Sequence, residues 1–203
     1  MKKLVIASLS LGVLGLVGAP FASAADGTTN GVVAYETGGI ELKPGDNGDL
    51  GPGLPGDLNF GKHQIQYATD ETWNATVDGI DSSKLTTGTV NVADNRGSSA
   101  GWSVKAKQNA QFANGTDVLA SAALSIETGA ATNDFGSLPT VGVNTTATLP
   151  LGQDTKIFGA NQGTGNGNSA LELKKFSLAV PKTAEKKPVE YKASITWTLS
   201  DAP

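Results

Sequence analysis

Residues 191–200 alternate without interruption. Tyr191, Ala193, Ile195, Trp197 and Leu199 occupy one set of positions, and Lys192, Ser194, Thr196, Thr198 and Ser200 the other. Successive side chains on a strand point to opposite faces, so a period of two calls for one buried face and one wet face. The same logic puts Trp102, Val104 and Ala106 on one face of a second strand, with Ser103, Lys105 and Lys107 opposite. A chain carrying such segments has to build sheets and cover one side of each.

The rest of the sequence agrees with that demand. Short strand-like runs lie at Gly31–Thr37, Gly61–Ala68, Thr72–Val77, Gly88–Ala93, Gly101–Lys107, Val118–Glu127, Thr155–Ala160, Ala170–Val180 and Val189–Ser200, with turn residues between them. Short, closely spaced strands predict an all-β fold, here a single β-sandwich of two mostly antiparallel sheets. Only the Ala-rich stretch Ala110–Ala123 has a composition that also suits a helix. The 26 Gly and 9 Pro concentrate in loops. Residues 43–57 are dense in both and read as a Gly/Pro-rich loop inside the domain, and Gly159–Ser169 reads as a polar Gly/Asn loop.

The N-terminus reads as an export signal. Lys2 and Lys3 precede an uncharged, mostly apolar run from Leu4 to Gly18, and Ala22-Ser23-Ala24 supplies small residues for a signal peptidase. The expected cut follows Ala24, so 1–24 is signal peptide and 25–203 one mature domain. Cleavage leaves 13 bases against 19 acids, a net charge of −6, with the deficit concentrated before residue 97. Such a balance, on an exported chain, excludes a nucleic-acid binder. Lys174, Lys175, Lys182, Lys186, Lys187 and Lys192 crowd into a short stretch. They read first as a solvated surface, and otherwise as a basic cluster facing anionic wall polymer.

With no Cys and a single His, there is no disulfide, no thiolate or His-cluster metal site and no thiol nucleophile. His63 lacks the Gly-x-Ser-x-Gly elbow that would accompany a hydrolase triad and reads as an ordinary exposed residue. The nominal carboxylate pairs, Asp70-Glu71 and Asp46/Asp49, have nothing to set them across a cleft. Asp46-Asn47-Gly48-Asp49 lacks the ligand spacing of a calcium loop. Asp94-Asn95-Arg96-Gly97 reads as a turn leading into the Trp102 strand. No enzyme, metal or cofactor is expected.

Two segments resemble the signatures of the WxL-domain family, surface proteins of low-GC Gram-positive bacteria. The distal one is YKASITWTLSDAP, in which Tyr191, Ile195, Thr196, Trp197, Leu199 and Pro203 stand at the family's positions. The proximal one lies in DNRGSSAGWSVKAKQ, where Trp102 is followed at the second place by Val104 instead of the family's Leu. DLNFGKHQI and LAVP, residues 57–65 and 178–181, are also similar to family segments. The resemblance implies a secreted protein held non-covalently on the cell wall, mainly through peptidoglycan, with other exported surface proteins as partners in a complex. The chain shows no Leu-Pro-x-Thr-Gly sorting signal, hydrophobic tail or Cys for a lipid, so a member retained on the cell depends on such contacts. An adhesin or complex subunit whose main ligand is a host or bacterial protein is the alternative. Trp102 and Trp197 are expected to be core residues lying close together, the alternative being exposed platforms for sugar rings.

Overall fold

Strands form where β-branched and aromatic residues alternate with polar ones, and in the computed structural model these segments pair into two layers. Residues 33–43 and 53–203 are described. In chain order the strands are β1 (Ile40–Lys43), β2 (Glu71–Asn74), β3 (Gly88–Asp94), β4 (Trp102–Gln108), β5 (Ala113–Asn114), β6 (Asp117–Val118), β7 (Ala123–Asn133), β8 (Thr146–Leu149), β9 (Thr155–Ala160), β10 (Gly167–Val180) and β11 (Ile195–Ser200). There is no helix among the described residues.

The larger sheet has the order β1-β3-β10-β7-β8, and β2 pairs with β10 as well. The length of β10 explains this arrangement. Its first half, Gly167–Leu173, pairs with β3, and its far end, Ser177–Val180, pairs with β2 along the same edge. On the opposite edge β10 pairs with β7, with register irregularities between Leu171 and Lys175. The smaller sheet has the order β11-β4-β9. Every pairing in both sheets is antiparallel. Strands β5 and β6 form a separate two-residue hairpin. Its loop opens on Gly115 with φ of 58°, the left-handed conformation a tight hairpin needs there.

The core lies between the sheets. Val90, Val92, Leu124, Ile126, Leu149, Leu171, Leu173 and Phe176 come from the larger sheet, and Trp102, Val104, Ala106, Ile157, Phe158 and Ala160 from the smaller. The all-β sandwich expected from the alternation is therefore the fold. A second apolar cluster gathers Phe112, Leu119, Ala122, Leu178, Val180 and Ala184, with Phe60, Trp73, Tyr191 and Ala193 packed against it. Residues Glu36–Pro203 make up one compact unit.

Several expected elements differ. Residues 33–37 are exposed and form no strand; the first strand comes slightly later, at Ile40–Lys43. Gly61–Ala68 is not a strand. The Gln66 carboxamide oxygen accepts from the Ala68 and Thr69 amides, and this local turn replaces sheet pairing. Ala110–Ala123 is not a helix: it is occupied by the β5–β6 hairpin and the turn after it, and pairing with a distant segment overrides the alanine content. The last strand starts at Ile195, not Val189, with only an isolated bridge from Lys192 to Ala113 before it. The loop expected at Gly159–Ser169 is shorter, since β9 runs to Ala160 and β10 begins at Gly167. The signal peptide and the Asp46/Asp49 segment lie outside the described residues, as does most of the loop 43–57.

Candidate functional site

The two tryptophan-bearing segments are neighbours in the smaller sheet. Strand β11 pairs with β4 so that Ile195 faces Gln108, Thr196 faces Lys107, Trp197 faces Ala106, Thr198 faces Lys105, Leu199 faces Val104 and Ser200 faces Ser103. Opposed residues share a face, so Trp102, Val104, Trp197 and Leu199 all point inward, and one register brings the two sequence signatures into a single seam.

Trp102 lies at the closed end of that seam with an exposure of 0%. Its ring meets Phe158 edge-on, centroids 5.0 Å apart at 76°. Its indole N–H donates to the Gly165 carbonyl at 3.0 Å, which satisfies the one polar atom of a buried indole. Gly165 has φ of 82°, and a Cβ added there would lie 2.7 Å from Trp102 Nε1, so the loop can close over the indole only with glycine. Val104 occupies the same inner face, fully buried. Trp197, Ile195 and Leu199 are partly buried against the core. Trp197 sits opposite Ala106, four residues along β4 from Trp102, which places the two indoles roughly 13 Å apart along the sheet. The two tryptophans therefore lie on adjacent strands of one face, without stacking of their rings. Thr196 is exposed and exchanges hydrogen bonds with the Asn109 amide at 3.0 and 3.1 Å. Tyr191 precedes the strand, packs on the second cluster, and its hydroxyl accepts from the Lys187 amide at 2.8 Å.

A clip not expected from the sequence closes the end of the seam. Asp94, at the end of β3 in the larger sheet, is 1% exposed. Arg96 grips it with two parallel bonds, Nε to Oδ1 and Nη2 to Oδ2, each 2.9 Å. The same guanidinium donates to the Gly101 carbonyl at 2.8 Å and the Asp201 carbonyl at 3.1 Å. One side chain thus ties the larger sheet to the residue before Trp102 and the residue after Ser200. Ser103 adds a bond from its hydroxyl to the Ala202 carbonyl at 3.0 Å. Burial pushes the Asp94 carboxyl up, but the hydrogen bonds and charge of Arg96 outweigh it and hold the group below its ordinary value of 3.8. The bond to Asp94 in turn raises the guanidinium further. In the sequence, Asp94-Asn95-Arg96-Gly97 carries only a turn signal. The turn is present, with the Arg96 amide donating to Asp94 Oδ1 at 3.1 Å, but the distant carbonyls that Arg96 reaches come from the fold.

Most of the six lysines that crowd together in sequence are paired with carboxylates. Lys175 pairs with Glu127 at 2.7 Å, and Lys174 approaches the same carboxylate at 3.7 Å. Lys186, itself largely buried, pairs with Glu71 at 3.2 Å and lies over the Tyr67 ring. Lys187 pairs with Asp117 at 2.5 Å and Lys192 with Glu190 at 3.5 Å. Lys182 contributes its backbone amide to Asp70. The fold has thus brought a carboxylate to five of the six. Asp70 and Glu71, read as a nominal acid pair, are thereby engaged by Lys182 and Lys186. His63 is exposed, as expected, and also stacks on Trp73 with centroids 3.4 Å apart at 6°. That contact has no sequence signal, because the two lie in separate segments.

A shallow depression of about 180 Å³ is lined by Glu127, Thr128, Asn144, Thr145, Thr146 and Lys174. Its carboxylate is the one already held by Lys174 and Lys175, and the hydrogen bond from Lys175, with the charges of both lysines, keeps Glu127 below the usual carboxylate range. Among the described residues, no helix is long and apolar enough to cross a membrane.

The seam and the clip define a β-sandwich domain whose tail is built into one of its sheets. The WxL domain family, described as a surface cell wall-binding domain, matches residues 23–203, and the chain belongs to it. It is a protein of the cell surface that binds the cell wall. No curated protein and no solved structure matches the chain.

Proposed function

We propose that the mature protein, starting at Ala25 after removal of residues 1–24, is a non-catalytic attachment module that binds peptidoglycan directly and without covalent linkage, as part of a complex of exported surface proteins. The observation that carries this reading is the family match over residues 23–203, to a domain described as surface cell wall-binding. The sandwich supports it by offering broad sheet faces to a polymer. The motif side chains Trp102, Val104 and Leu199 frame those faces from inside, and Tyr191, Ile195, Thr196 and Trp197 anchor the edge strand. The test is co-sedimentation of the purified secreted protein with purified peptidoglycan, with no other protein present. The protein is expected in the pellet. Recovery in the supernatant overturns direct binding and makes a partner protein the anchor. N-terminal sequencing of the secreted form is expected to begin at Ala25, and a start upstream of Pro20 would overturn the assigned cleavage.

A further inference from the structure

The outward face of the smaller sheet is chemically unlike the rest of the protein. Alternation sends Lys105 and Lys107 outward from β4, Lys156 from β9, and Thr196 and Thr198 from β11. Register places Lys105 directly opposite Lys156 on one side and Thr198 on the other, and Lys107 opposite Thr196. Like charges facing each other across a ladder destabilise a sheet. Elsewhere in the described structure most lysines are brought to carboxylates, as Lys175 is to Glu127 and Lys186 to Glu71, with Lys62 and Lys182 the exceptions. Here Lys105 and Lys156 have no ion-pair partner among the described residues, and Lys107 has only Asp154 at 3.9 Å. The chain as a whole carries a net charge of −4, so this concentration is no reflection of general basicity.

We infer that this face is a binding site for an anionic phosphodiester polymer of the cell wall. Three ammonium groups on a flat, twisted row suit a flexible chain of repeating single charges. Lysine acts on a phosphate as a mobile point charge without the fixed planar geometry an arginine fork imposes. The Thr198 hydroxyl beside Lys105 adds a donor for a phosphate oxygen. The Thr196 hydroxyl is already engaged with Asn109, and Asp154 opposes an anion at the Lys107 end, which centres the site on Lys105 and Lys156. A polyanion would be repelled by the acidic remainder of the surface and so directed to this face. The inference deepens the wall-attachment reading, and rests on it, by naming a second wall component.

The experiment compares sedimentation of the secreted protein with whole walls that retain their phosphodiester polymer and with walls stripped of it by hydrofluoric acid. The protein is expected to bind whole walls more tightly. The triple variant K105Q/K107Q/K156Q is expected to lose about tenfold in affinity for whole walls, with a weaker salt dependence, and nothing on stripped walls. The variant K174Q/K175Q, whose lysines are solvent-accessible but paired with Glu127, is expected to bind like the parent. Melting of the triple variant at or above the parent temperature excludes unfolding as the cause, because a repulsive pair has been removed. Equal binding of parent and triple variant to whole walls overturns this site but leaves peptidoglycan attachment standing, as does an equal loss in K174Q/K175Q. Failure of the parent to bind either wall preparation overturns both.

Discussion

The two tryptophans that mark the seam share a sheet face and differ in how the fold uses them. Trp102 is sealed between Phe158 and the Gly165 loop with its N–H bonded, and the Arg96 clip closes over the backbone beside it. Trp197 lies on the edge strand, only partly buried, with no neighbouring strand on its far side in the smaller sheet. A central strand is covered on both flanks and fixes its side chains; an edge strand has one flank for packing and leaves the other accessible. Two similar motifs therefore carry unequal loads, with stability resting on the proximal one and contact with the outside open to the distal one.

The largest effect should come from Trp102→Ala. It empties a fully buried site and orphans the Gly165 carbonyl, so a loss of about 3–5 kcal/mol is expected in denaturant unfolding. A loss below about 1 kcal/mol would break the contrast, since a surface substitution costs that little. Next comes Arg96→Ala, which leaves the Asp94 carboxylate buried without its partner; a loss of about 3 kcal/mol is expected. Because Arg96 also holds the carbonyls of Gly101 and Asp201, hydrogen exchange should rise first at β11 and the residues after it.

Trp197→Ala should cost about 2 kcal/mol, in line with partial burial, and its readout sharpens the comparison. Wall sedimentation measured well below its melting temperature is expected to persist. If the variant melts like the parent yet fails to sediment, Trp197 is a binding platform and the edge position is functional. Acid should act on the clip. The Asp94 carboxyl is held below 3.8, so the stabilisation from the ionised pair is complete above that value and is lost as the pH falls through the lowered one. Melting temperature is expected to fall in that acid range more steeply for the parent than for Asp94→Asn, which has no charge to lose. The smallest effect has the opposite sign. Lys105→Gln removes one member of the facing lysine pair and should stabilise by a few tenths of a kcal/mol.

Much of this was legible beforehand because alternation is a local property. The inward sets Trp102/Val104/Ala106 and Ile195/Trp197/Leu199 follow from a period of two, and the limits of β9 follow from its turn residues. Where local chemistry competed, the reading failed. The Gln66 turn replaced a strand at Gly61–Ala68, and the alanine-rich stretch, which also suits a helix by composition, holds a hairpin bridged to Lys192. The short strands at Ile40–Lys43 and Thr146–Leu149 carry too few residues to show a period and exist through their partners β3 and β7.

By itself the sequence determined that this chain builds an all-β sandwich and which faces of its two signature strands turn inward. Family membership was visible in those same residues. Three things waited on tertiary structure: the pairing of β4 with β11 into one seam, the reach of Arg96 to the carbonyls of Gly101 and Asp201, and the sorting of lysines into paired and unpaired sets. The physical reason is the range of each interaction. Alternation is set by neighbours two residues apart, whereas a register, a buried ion pair and a patch of charge depend on which distant strands the core brings side by side.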